Sequence, residues 1–298
     1  MQSIAWRGKG NLRRVGMARS DFFRGLLLSS RCCSLDPTIL GGTMKLKRSA
    51  ALKHLLGWIP DLPDQRDFLY AALRPAGVRL PQAADLRPIL SPVEDQGQLG
   101  SCTANALVGA LECLEIKDGQ PLVDLSRLFI YYNERVLEHS VASDSGAMLR
   151  DGIKTLVAQG VCSEKKWPYV TAAFAKKPSA ACYAEAKTHT IGSYHRIASL
   201  SDMRACLAEG FPFVFGFSVY ESFESAKVAK TGVLNMPKPG EKQLGGHAVC
   251  AVGYDDRTKR LLVRNSWGPA WGMKGYFTMP YEYVANRDLS DDFWTIRG

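Results

Sequence analysis

The chain is expected to fold as an α+β protein of two lobes, one helical and one built of strands. Three observations carry this: helical periodicity is confined to the first half, short strand-like runs fill the second, and no strand–helix alternation joins them. The 298 residues are 46% hydrophobic and 22% charged, with 27 Gly and 15 Pro, enough for a full core and close to globular averages. A site between the lobes is the expected place for chemistry.

Residues 1–79 are read as a basic leader or pro-like segment and 80–298 as the main domain, with a helical lobe over about 95–200 and a strand-rich lobe over about 205–298. The first 60 residues hold 11 basic and 2 acidic side chains, which leaves 27 of each in the remainder. A charge excess confined to one end argues against a general nucleic-acid role for the folded body. The basic arm could still contact an anion or nucleotide. Its only apolar block, Leu26–Leu28, is too short for a secretory signal core, and Arg19–Leu26 lacks the second arginine of a twin-arginine signal. The compartment therefore stays open, and Met44 would serve as a start as well as Met1. No apolar run is long enough to span a membrane.

Leu46, Ala50, Leu52, Leu55 and Leu56 fall at loosely helical intervals before Gly57 and Pro60, and Trp58–Tyr70 reads as a surface loop. Leu80 opens an extended entry to the domain. Ala104, Leu107, Val108, Leu111 and Leu114 predict a helix over 101–117 with one buried stripe. Further helices are expected over 126–139, capped by Ser126, and from about Ser145 to Gln159, closed by Gly160. Strands are expected at 213–220, 247–254, 260–264 and 275–279, with Asp255–Thr258 turning a hairpin.

The cysteines at 32, 33, 102, 113, 162, 182, 206 and 250 show no paired zinc spacing, and no cofactor or metal is called for. Cys113, Cys206 and Cys250 read as small core residues. Cys102 differs because it opens a helix, where free N–H groups and the positive dipole end favour a thiolate. Gly100 and Ser101 let the chain turn tightly into that helix. Of the five histidines only His247 sits beside a glycine pair, Gly245–Gly246, at the edge of a strand; the other four read as surface residues. Asn265, ending the next strand, could orient its ring, and Trp267 could shield that bond from water.

These motifs resemble the signatures of papain-like cysteine peptidases of bacterial type: Gln96-Gly97-Gln98-Leu99-Gly100-Ser101-Cys102, Gly246-His247-Ala248-Val249, and Asn265-Ser266-Trp267-Gly268 with Trp271-Gly272 and Gly275-Tyr276. The resemblance runs from about Leu80 to the C-terminus. It implies a papain-like two-lobe fold, with a helical lobe carrying Cys102, a β-barrel-like antiparallel lobe carrying His247 and Asn265, and a cleft between. It also implies an endopeptidase acting on peptide or protein substrates as a monomer. Cys102 would attack as the thiolate of a pair with His247, Asn265 would hold the ring, and Gln96 would donate to the oxyanion. Gly146 would pair with substrate backbone. Ala147, Met148, Gly216, Gly246 and Ala248 would wall a pocket for an apolar side chain, with Trp267 also in the substrate-binding set and Asp291 or Asp292 near the pocket floor to admit a basic one.

Three departures bear on this. The disulfide that plant and animal relatives place at positions corresponding to Leu99 and Ser143 is missing at both ends. Thr103 replaces the usual tryptophan after the nucleophile. The interlocking helix motif of many propeptides is not visible in residues 1–79, although this segment is expected to cover the cleft. Two alternatives stay open: transfer of the acyl group to an amine or thiol instead of water, and an inactive scaffold whose basic arm binds phosphate or nucleotide.

Overall fold

Helix α1 (Cys102–Lys117) lies at the centre of the computed structural model, which describes residues 54–73 and 79–298. The sequence predicts one buried stripe on it. Instead every residue from Cys102 to Leu114 is buried, because helices pack on one side of α1 and strands on the other. Its helical partners are α2 (Arg127–Leu137) and α3 (Leu149–Ala158). Ser126 caps α2 as expected, its Oγ accepting from the Phe129 N–H at 3.1 Å. Helix α3 begins later than its periodicity suggests, because Gly146 adopts φ +74° and Ala147 is taken into a strand-like pairing. A short α4 (Ala180–Ala186) leads out of this lobe.

Among the described residues the second lobe is an antiparallel sheet of seven strands: β1 (Ala83–Asp85), β2 (Ser193–Arg196), β3 (Phe213–Tyr220), β4 (Gln243–Asp255), β5 (Arg260–Arg264), β6 (Tyr276–Pro280) and β7 (Ser290–Arg297). The order is β2-β7-β3-β4-β5-β6, with β1 on β4, and hydrogen bonding does not close it into a barrel. Strand β4 starts four residues before the expected one, because Gly246, Gly245 and Gln243 pair with Ser218, Val219 and Tyr220 of β3. The apolar run of β3 puts three phenylalanines, Phe213, Phe215 and Phe217, into the core at 0% exposure. Helices α5 (Leu200–Ala208), α6 (Ala226–Thr231) and α7 (Tyr281–Ala285) complete the lobe. Cys113, Cys206 and Cys250 are buried free thiols, as their apolar contexts imply.

The described residues form one compact unit. The basic arm, Met44 and most of the expected helix over residues 44–57 lie outside the described residues; residues 54–57 are not helical. The stretch read as a surface loop runs along the domain. Tyr70 is fully buried in the core, Leu69 forms a parallel bridge with Arg196 on β2, and Trp58 forms another with Ala147. No helix among the described residues is long and apolar enough to cross a membrane.

Candidate active site

His247 lies on β4 and Asn265 follows β5, so adjacent strands bring the two side chains together. The ring Nε2 sits 2.8 Å from Asn265 Oδ1, and the same oxygen accepts the Ser266 backbone N–H at 2.9 Å. A backbone N–H can only donate, which fixes that amide atom as oxygen and makes Nε2 the protonated ring nitrogen. In the neutral ring Nδ1 is therefore a bare lone pair, and it is buried without a hydrogen-bond partner. Trp267, 3% exposed, holds its ring 5.0 Å from the imidazole and screens the pair, as its position after Asn265 suggests.

Cys102 is the first residue of α1, and its sulfur is fully buried. The backbone amides of Ala248, Gly57 and Thr103 face it and favour its charged form. The Ala248 contact puts the sulfur against the residue that follows His247. The thiolate expected from the helix start is not the form favoured in this conformation. Burial pushes the thiol up to about 12, outweighing those three donors, and burial likewise pushes His247 down to about 4 against the Asn265 bond. Desolvation of both charged forms keeps thiol and imidazole neutral.

Gln96 is oriented by the same turn that carries Asn265. Its Oε1 accepts from Ser266 Oγ at 2.6 Å, which directs Nε2 to the carbonyls of Leu99 (2.9 Å) and Leu55 (3.0 Å). The donor expected to face an oxyanion thus holds a carbonyl of the N-terminal segment.

That segment occupies the residues read as the substrate pocket. Ala147 donates its N–H to the Gly57 carbonyl (2.8 Å) and accepts from the Ile59 N–H (3.0 Å), while Trp58 N–H reaches the Gly246 carbonyl (3.1 Å). A Cβ on Gly146 would overlap the Gly57 carbonyl, and one on Gly216 would overlap the Trp58 indole, so both glycines are required by close approach. Gly146 contributes space, while Ala147 makes the backbone bonds. Ala248 pairs with Gly216 across β3 and β4, and Met148 caps α3 with its N–H on Glu138. Of the two aspartates expected at the pocket floor only Asp292 reaches the occupant, accepting the Trp58 indole N–H at 3.1 Å and the Asp61 N–H at 2.7 Å. Asp291 pairs instead with Arg196 and Arg287.

Two residues at the site escaped the sequence reading. Trp58 is one; Gly57 before it and Pro60 after it signal extended backbone, but nothing local announces a pocket. His54, read as a surface residue, stacks on Trp267 at 4.8 Å with an interplanar angle of 6°, and a proton on it would oppose protonation of His247.

Residues 80–291 match the model of the papain family of cysteine proteases. The chain belongs to that family. This papain-family chain is 46% identical to xylellain, a cysteine protease of Xylella fastidiosa, covering 81% of this chain and 95% of that one with a TM-score of 0.77. It is 43% identical over 276 residues to a peptidase C1-like protein of Acanthamoeba polyphaga mimivirus, spanning 84% of this chain and 88% of that one. Cysteine proteinase 3 of Entamoeba histolytica is 27% identical over 75% of this chain and 69% of its own length. The protein is a papain-like cysteine peptidase, a hydrolase whose substrates are peptides or proteins.

Proposed function

We propose that Cys102 is the nucleophile, His247 its base and then acid, Asn265 the ring's orienter and Gln96 the oxyanion donor, in an endopeptidase held inactive by residues 55–61. The observation that supports this best is the Asn265 bond, which leaves His247 Nδ1 bare beside the amide that touches the sulfur. In the reaction the thiol proton passes to Nδ1, and the sulfur attacks the peptide carbonyl. The carbonyl oxygen, now negative, takes the Gln96 Nε2–H that Leu55 holds in the covered state. The imidazolium then gives its proton to the departing amine, and water attacking with help from the same ring releases the acid.

The pocket preference follows from its occupant. An indole between Gly216 and Gly246, donating to Asp292, favours a flat aromatic or a long cationic side chain next to the cleaved residue. Every proposed group comes from one chain, so a monomer suffices, and the basic arm would add an anion or nucleotide contact. The test is a thiol-directed peptide epoxide carrying an aromatic side chain. Its adduct is expected on Cys102 and is expected to be lost in His247→Ala; labelling at another cysteine overturns the assignment.

A further inference from the structure

Cys102 and Gly146–Ala147 come from separate stretches of chain, one presenting the sulfur and the other the backbone that pairs with an extended segment. Productive attack needs both in one register, since displacement of about 1 Å costs on the order of 10²-fold. The link between them is polar. Gly100 N–H, two residues before the nucleophile, donates to both carboxylate oxygens of Asp144, at 3.0 and 3.1 Å. The Tyr131 hydroxyl donates to Asp144 Oδ1 and accepts the Gly146 N–H at 3.2 Å. The Gly100 turn, a carboxylate, a phenol and the Gly146 backbone thus form one chain of hydrogen bonds.

The surroundings hold this chain in place. Tyr131 is fully buried on α2, and burial together with the Asp144 carboxylate pushes its hydroxyl well above the usual range, so it stays a donor. The buried Arg135 guanidinium lies 3.9 Å over the Tyr131 ring and donates to the carbonyls of Val141 and Ser143, pinning the loop that delivers Asp144. A Cβ on Gly100 would stand 3.1 Å from Asp144 Oδ1, so this approach is also fitted to glycine. The link lies one residue beyond Leu99 and Ser143, where relatives carry a disulfide.

We propose that Asp144, through Tyr131, is a positioning residue that sets the register between the nucleophile turn and the peptide-pairing stretch. This rests on the assignment of Cys102 as nucleophile. It predicts that peptide hydrolysis depends on Asp144 while the chemistry of the sulfur does not.

The test compares, in the full-length chain and per titratable site, kcat/KM for a fluorogenic peptide with the rate of Cys102 alkylation by iodoacetamide. Both reactions need the covering segment lifted, so their ratio cancels any change in its docking, and unfolded molecules drop out of the site count. Asp144→Ala is expected to lower the ratio about 10-fold, chiefly through kcat. Asp144→Asn, whose amide oxygen still accepts from Gly100, is expected to recover most of that loss. Asp144→Ala combined with Tyr131→Phe is expected to be no worse than Asp144→Ala alone. An unchanged ratio in Asp144→Ala, or additive losses in the double variant, overturns the proposal. Hydrolysis surviving in Cys102→Ala would instead defeat the nucleophile assignment on which it rests.

Discussion

Replacing Trp58 by alanine should convert a covered peptidase into a largely open one. Full truncation of a buried tryptophan costs about 3–5 kcal/mol. Trp58 is only partly buried, yet it loses its contacts with Gly216 and Gly246 and the indole bond to Asp292, so about 2 kcal/mol of docking energy is the fitting scale. At about 1.4 kcal/mol per decade this raises the open population about 30-fold. Asp292 keeps the Asp61 N–H and Arg196 as partners, so the variant leaves no stranded charge. The measurement is the rate of Cys102 alkylation by iodoacetamide at pH 7 in the full-length chain, alongside hydrolysis of a fluorogenic peptide. Both should rise by that factor. Trp58→Phe, which keeps a ring and loses only the N–H donor, should rise a few-fold. A Trp58→Ala chain that melts normally and reacts no faster than its parent would refute the claim that this side chain holds the site shut.

Gln96→Ala should lower turnover by about 10²- to 10³-fold while leaving peptide KM nearly unchanged, because its amide would gain strength only as the oxyanion forms; equal losses in both would point to a binding role. A second outcome concerns pH. Burial and the Asp292 carboxylate push Asp61 up from 3.8 to about 6, and Asp292 is raised with it by burial. A carboxyl raised on docking contributes fully below its free value and loses that contribution as pH rises through its docked value. The segment should therefore be held most tightly near pH 4 and loosen up to and beyond about pH 6, while Asp61→Asn flattens the profile. Acrylamide quenching of Trp58 in the Cys102→Ala chain, read against its Trp58→Phe counterpart, measures this; quenching that falls between pH 4 and 7 would contradict it.

The catalytic candidates and the main elements were legible where the information is local. The Gly100–Ser101 break places the start of α1 within one residue, and the uninterrupted Phe213–Tyr220 run matches β3 in full. Gly246-His247 falls on β4 and Asn265-Ser266-Trp267 just past the end of its neighbour β5, because the hairpin between them has clear turn residues. Features that depend on distant partners were not legible. Strand β7 opens with Ser290-Asp291-Asp292, a turn-like start, and becomes a buried strand only between β2 and β3. Residues 145–148 fit a helical pattern but are drawn into pairing with Trp58, whose own role depends on the absence of a side chain at Gly216.

The covering segment protects the thiol electrically as well as sterically. With Leu55 on Gln96 and Gly57 on the sulfur, water is kept from Cys102, and desolvation outweighs the amides of Gly57, Ala248 and Thr103. Only the first of these donors belongs to the segment. When it leaves, water returns, the dominant cost of charge at both Cys102 and His247 is removed, and the Ala248 and Thr103 amides stay in place at the head of α1. The same residues favour a neutral pair when covered and, on the proposed function, would favour an ion pair when open. A small electrophile diffusing beneath the segment would still meet a thiol rather than a thiolate, so on the proposed function uncovering, and not access alone, is expected to govern the reactivity of Cys102.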